Sequence, residues 1–254
     1  MKKIWNSFLI AFAMFSKIPV PRADWDKENM RYMMCFFPLI GVVIGVLLQG
    51  LGILCTWLSF GDTMRGASFV LLPVLVTGGI HMDGFLDTTD ALSSWQPREK
   101  KLEILKDSHA GAFAIIMGCS YFVLALGVCS EMDLKVLPVA GLIFVVSRTL
   151  SSLALSTFPK ANKSGSLSMF SDAAQKRILL ITLALWLIVC AGVGICLDWK
   201  QTILLFVTAA VVYGSYYRLA MKQFGGTTGD IAGFFTQICE LACAFVIMLG
   251  GKLL

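Results

Sequence analysis

Predominantly apolar runs, most of them long enough to cross a hydrocarbon core about 30 Å thick, follow one another through almost the whole chain. They are Met33 to Ser59, Gly66 to Met82, Ala110 to Cys129, Val136 to Phe158, Ile178 to Leu197, Thr202 to Tyr217 and Ile231 to Gly251. In lipid every backbone polar group must be satisfied within the protein, and unbroken runs of this length do so as helices. The expected fold class is all-α: a polytopic helical integral membrane protein of about seven transmembrane helices, or six, forming one domain over residues 1–254. The second run is the weakest, because it carries Pro73 and ends in Gly78-Gly79, so irregular backbone is expected there. Composition excludes a single soluble globule, with 57% hydrophobic residues, 15% charged residues and a mean hydropathy of +0.78.

The formal charge of +5 does not imply nucleic acid, because the basic residues lie between apolar runs and form no long arm. With the N-terminus in the cytoplasm, 16 of the 21 Lys and Arg residues fall in inner connections and four, Arg65, Lys135, Lys200 and Lys252, fall outside. That asymmetry orients the chain with its long polar loops, Asp83 to His109 and Pro159 to Arg177, in the cytoplasm. Residues 1–32 read as an amphipathic cytoplasmic or interfacial segment. All eight cysteines lie in or beside apolar runs, including Cys239 and Cys243 four apart. They read as small hydrophobes rather than as zinc or disulfide ligands.

The densest polar feature runs from Gly78 to Asp90. On a helix Asp83, Asp87 and Asp90 stand at i, i+4 and i+7, within about 60° of one another. Stacked like charges at the end of a span call for a cation, and hard oxygen ligands suit Mg²⁺ or Mn²⁺ holding a substrate phosphate. A solvated acidic face is the plainer alternative. His81 is a ligand, a base or an ordinary hydrogen-bonding residue. A second acidic group, Asp107-Ser108, stands directly before a span, and a third constellation, Gly225 to Gly233, carries Thr228 and Asp230. Its glycines allow close backbone approach to a ligand, and its free N–H groups can receive a phosphate. A glycine turn capped by Thr or Asp explains the same residues without a ligand.

Together these stretches resemble the cobalamin synthase family, the adenosylcobinamide-GDP ribazoletransferases. The matching residues are Phe15 to Pro21, Phe37-Pro38-Leu39-Ile40-Gly41, Gly78 to Asp90, Leu102-Glu103-Ile104 through Asp107-Ser108, Ser147-Arg148, and Gly225 to Asp230 with Glu240. The sequence departs from the family pattern at Ala91, His109 and Asn162, where Lys106 and Lys163 are nearby substitutes for a basic phosphate contact. The resemblance implies a Mg²⁺-dependent transferase of a bacterial inner membrane, multi-pass, with its active site facing the cytoplasm. It would join adenosylcobinamide-GDP to α-ribazole or its 5′-phosphate and release GMP. The metal would be held by Asp83, Asp87 and Asp90, with Asp83, Asp87, Asp107 and His81 catalytic and Asp107 the preferred acceptor of the hydroxyl proton. Substrate contacts would fall to Lys106, Ser108, Arg148, Lys163, Gly226, Thr228 and Asp230. The expected partners are the two substrates and the lipid bilayer, with a second copy of the chain or other cobalamin-assembly enzymes beside them. A CDP-alcohol type phosphotransferase would share the carboxylate chemistry. A cation transporter would place its carboxylates nearer mid-membrane.

Depth arithmetic adds one expectation from the residues themselves. Arg148 lies ten residues from Phe158 and Glu240 nine residues from Ile231, so each sits about 15 Å deep at 1.5 Å per residue. Either they form a buried ion pair between two spans, or Arg148 reaches a substrate phosphate and Glu240 pairs elsewhere.

Overall fold

The computed structural model describes residues 2–107, 109–161 and 175–253. Among these residues the regular structure is helical apart from one isolated parallel bridge between Lys160 and Thr227. The α-helices are α1 (Lys2–Phe15), α2 (Met33–Trp57), α3 (Asp62–Thr77), α4 (Ile80–Ser93), α5 (Arg98–Ile104), α6 (Ala112–Ser130), α7 (Leu137–Thr157), α8 (Lys176–Leu219) and α9 (Gly229–Leu253). Five segments are long and apolar enough to cross a membrane, or six if α3 and α4 count as one bent span.

The irregular backbone expected near Gly78-Gly79 is a sharp elbow, and the run from Gly66 to Met82 is not one straight helix. The chain turns by 96° between α3 and α4. Gly78 and Gly79 carry φ values of 66° and 80°, a left-handed pair that only glycine adopts at little cost. Lys17 braces the elbow, its N–H donating to the Val76 carbonyl at 2.8 Å and its stem lying over Gly78.

As a straight rod, α8 would measure about 66 Å, roughly twice the hydrocarbon thickness. It breaks at Asp198, where φ is −160° and ψ is 106°. The Asp198 carboxylate accepts from the N–H groups of Lys200 and Gln201 at 2.9 and 3.1 Å and so caps the second half. The two halves coincide with the two apolar runs expected there.

The enclosed centre is α7, whose apolar window is 78% buried against 22% for α6. It meets α2 through small residues, because without a hydrophobic drive between helices in lipid it is close backbone approach that gains dispersion energy. A Cβ at Gly45 would stand 2.7 Å from the Gly141 carbonyl oxygen, and Gly41 packs directly on the Phe144 carbonyl. Gln49 donates to the Leu137 carbonyl at 2.9 Å across the same seam. Trp186 of α8 donates to the Cys35 carbonyl at 3.2 Å.

α1 buries Leu9, Ile10, Ala11 and Phe12 and leaves Lys2, Lys3, Ile4 and Trp5 exposed. Ser7 donates to the Asn29 carbonyl, and Phe15 meets Phe37 at 4.4 Å between ring centroids. The amphipathic segment is thus part of the bundle rather than an appendage. At the opposite end Asp62, Arg65, Glu131 and Lys252 share one hollow, with Lys252 paired to Glu131. Gln201 also lies there, against Gly250. The start of α3, the connection after α6 and the end of α9 thus meet in one hollow.

Candidate active site

Two glycines bring α4 and α9 into backbone contact. A Cβ at Gly84 would stand 2.6 Å from the Asp230 carbonyl oxygen, and one at Gly233 would stand 3.1 Å from the His81 carbonyl oxygen. Larger residues would hold the helices apart. The contact gathers carboxylates that are far apart in sequence, so that the charges of Asp83, Asp230 and Asp90 all act on Asp87. Asp83, Asp87 and Asp90 share one face of α4 as their spacing requires. Asp83 is exposed, Asp87 and Asp90 are half-buried, and the Asp90 carboxylate rests against Gly111 at the start of α6.

Among the described residues no three His, Cys, Asp or Glu side chains converge as a ready-made metal cage. Asp83, Asp87 and Asp90 therefore do not close around an ion by themselves, because a straight helix spreads them along about 10 Å of its length. The donor set nevertheless fits Mg²⁺ in its usual form, with one or two carboxylates and the remaining oxygens supplied by water and a substrate phosphate. Among the described residues none of Asp83, Asp87, Asp90 and Asp230 has a basic side chain in ion-pair contact, so the acidic group retains its attraction for a cation.

A cavity of about 190 Å³ opens beside Asp83 and Asp230. Met14 and Phe15 of α1, Met34 and Phe37 of α2, and Ser151 and Leu155 of α7 wall its other sides. His81 also lines it, 5% exposed, with its ring parallel to that of Phe37 at 5.5 Å. The His81 Nδ1 is enclosed without a hydrogen-bond partner.

The Gly225 to Asp230 turn is pinned on three sides. After α8 the helix widens into a π turn, Ala220–Phe224, and Gly225 reverses the chain with φ 69°. Gly226 is threaded against the main chain of Pro159 to Ala161, where a Cβ would come 2.6 Å from the Ala161 nitrogen. Thr227 donates its N–H to the Pro159 carbonyl at 2.8 Å, accepts from Ala161 at 3.1 Å, and joins its hydroxyl to that of Tyr216. Thr228 accepts from the Ile231 N–H at 3.2 Å as the N-cap of α9 and faces Asp230 at 3.4 Å. Gly226 and Thr228 therefore have structural work of their own, and the turn opens onto the cavity at Gly229 and Asp230.

The remaining expected residues are more dispersed. Asp107 and Lys106 lie exposed on the loop after α5 and do not line the cavity. Asp107 accepts from the His109 N–H at 3.0 Å and meets its Nδ1 at 2.8 Å, bonds that hold its carboxyl below the ordinary range. Ser108 and Lys163 lie outside the described residues. Arg148 is 1% exposed and its Nη1 donates to Glu240 Oε1 at 2.6 Å and to the Phe144 carbonyl at 3.0 Å. Ser147 donates to the same Glu240 oxygen at 2.9 Å. Enclosed between the rings of Phe37 and Phe144, Arg148 presents no open face to a phosphate; of its two expected roles, the geometry realises the ion pair.

Some neighbours of the site were not singled out from sequence. The Arg98 guanidinium lies against Gly225, and Lys101, buried on α5, donates to Gln223 at 2.6 Å. Arg98 thus brings a guanidinium to the turn, yet its helix reads in sequence as an ordinary charged surface.

Residues 7–248 match the family described as Cobalamin-5-phosphate synthase. The chain belongs to that family. Among its relatives, the adenosylcobinamide-GDP ribazoletransferase of Lachnoclostridium phytofermentans is 43% identical over 244 residues, covering 96% of this chain and 94% of that protein. The enzyme of the same name from Clostridium botulinum strain Alaska E43 is 31% identical over 96% of this chain and 98% of its own length. That of Geobacillus thermodenitrificans is 30% identical over 92% and 91%. No solved structure matches the chain. The carboxylate-lined junction of α4 and α9 brings the Gly78 to Asp90 stretch against the Gly225 to Asp230 turn.

Proposed function

We propose that this membrane protein joins adenosylcobinamide-GDP to α-ribazole or its 5′-phosphate, forming adenosylcobalamin or its 5′-phosphate and releasing GMP. The observation that carries this reading is that Asp83 and Asp230 line one cavity, with Asp87 within the reach of their charges, in a chain whose relatives carry the ribazoletransferase name over almost their full length. An acceptor hydroxyl attacks the phosphorus next to the cobinamide arm, a new phosphodiester bond forms, and the phosphoanhydride bond to GMP breaks. Little covalent help is needed, so the protein's task is orientation and charge neutralisation.

Mg²⁺ held by Asp83 and Asp87 would supply Lewis-acid neutralisation of the diphosphate. Asp90, turned toward Gly111, supports that group from behind. Asp230 stands on the same cavity as Asp83 and is better placed than Asp107 to take the hydroxyl proton. Arg98 sits where it can meet a phosphate passing the Gly225 turn. The experiment is direct: purified protein in liposomes with both substrates and Mg²⁺ should release GMP, and release should stop when either substrate or Mg²⁺ is withheld. GMP release that ignores α-ribazole would indicate hydrolysis and refute the transfer.

The excess of basic residues in the connections on this side supports a site that faces the cytoplasm from a bacterial inner membrane. A single cysteine at exposed Gln96, in a cysteine-free background, should resist an impermeant thiol reagent in intact cells and react in inverted vesicles. Labelling in intact cells would reverse the orientation.

A further inference from the structure

The cavity beside Asp83 and Asp230 has a wall that carboxylate chemistry does not use. Phe37 and His81 lie with ring planes 2° apart, Phe15 meets Phe37 at 4.4 Å, and Met34 and Leu155 add aliphatic surface. Besides the two carboxylates, the polar side chains on this cavity among the described residues are Ser151 and His81. At about 190 Å³ it excludes a corrin macrocycle but matches a planar two-ring group. Enclosed aromatic faces favour a flat aromatic ligand. The His81 side chain, buried with an unpartnered Nδ1, is a group that a ligand nitrogen or hydroxyl would satisfy.

We infer that this cavity seats the benzimidazole base of α-ribazole against the Phe37–His81 pair, with the ribose hydroxyls turned toward Asp83 and Asp230. The inference rests on the function proposed above and adds the acceptor's location and the residues that set its base preference. Guanine fits the wall poorly, since the donors and acceptor on its edge would face Met34, Leu155 and aromatic carbon. An acyl chain would cover the apolar wall and leave Ser151 and His81 without partners.

Binding of labelled α-ribazole to the full-length protein in liposomes, without adenosylcobinamide-GDP, reads the seat independently of turnover. Leu155→Trp fills the cavity with a second ring system. It should weaken α-ribazole binding at least about tenfold while adenosylcobinamide-GDP binding changes less than about twofold. Met34→Ala enlarges the cavity and should raise the affinity for a riboside of a bulkier, three-ring base relative to α-ribazole; it keeps the test decisive if the tryptophan variant does not fold. Unchanged base preference in Met34→Ala, unchanged α-ribazole affinity in a folded Leu155→Trp protein, or loss of adenosylcobinamide-GDP binding in its place overturns the assignment. A wild-type protein that binds α-ribazole yet releases no GMP would refute the proposed transfer and leave the seat standing.

Discussion

Asp83→Asn should lower GMP release at least about a thousandfold, equivalent to about 4 kcal/mol of transition-state stabilisation, while the protein still inserts and folds. The substitution keeps the size and hydrogen-bonding capacity of the side chain and removes one charge from the acidic group. Asp83 is the exposed member of that group and lines the cavity together with Asp230, so the charge removed is the one nearest an arriving substrate. Asp87→Asn should cost nearly as much, because Asp87 stands in the combined field of Asp83, Asp230 and Asp90. The loss for Asp90→Asn should be smaller, about tenfold to a hundredfold, as for an outer residue that orients the ligands. Steady-state GMP release with membrane yield as a control checks the series. Equal losses at all three positions would show that Asp90 is a direct participant.

Arg148→Met and Glu240→Gln should each destabilise the protein by about 3–5 kcal/mol, because each leaves a buried charge without its partner. The pair lies at 2.6 Å, with side chains 1% and 7% exposed, and ties α7 to α9. In the hydrocarbon layer an unpaired charge has no water to turn to. The double variant should recover much of the loss, and thermal unfolding in one fixed detergent measures it. A double variant equal to the sum of the single losses would mean that the two side chains are not coupled. If Arg148→Met abolished turnover in a fully stable protein, Arg148 would have to contact substrate after all. Because α9 also carries Asp230, weakening this pair should loosen the junction where Asp230 meets Gly84.

What was legible in the sequence is what a single helix determines. The i, i+4, i+7 spacing places Asp83, Asp87 and Asp90 on one face whatever surrounds them, and apolar length reveals the spans. Depth counting from Phe158 and Ile231 puts Arg148 and Glu240 at one level and so offers their pairing as one of two readings, between which the contact decides. The elbow angle was not legible: Gly78-Gly79 announces irregular backbone but does not say which way α4 departs. Nor was the docking of α4 on α9, which depends on Gly84 and Gly233 facing each other across more than half the chain. The cavity was least visible of all, because α1, α2, α4, α7 and α9 each contribute a few ordinary apolar residues to it. Phe15 and Phe37 belong to stretches that carry the family resemblance, yet aromatic residues in apolar runs give no sign of facing a ligand. That Asp107 meets His109 and lies off the cavity was not legible either, since a carboxylate before a span carries no sign of which neighbour it faces.

The proposed transfer depends on Asp83 being a ligand of the cation that neutralises the diphosphate, and exchanging its oxygens for sulfur tests that most directly. A thiolate binds Mg²⁺ poorly and softer cations well. GMP release by Asp83→Cys should therefore be nearly absent in Mg²⁺ and recover in part when Mn²⁺ or Cd²⁺ is added, whereas Asp83→Ala should recover with neither. Wild-type turnover by Asp83→Cys in Mg²⁺ alone, or the same response to the softer cations from Asp83→Ala, would contradict the assignment.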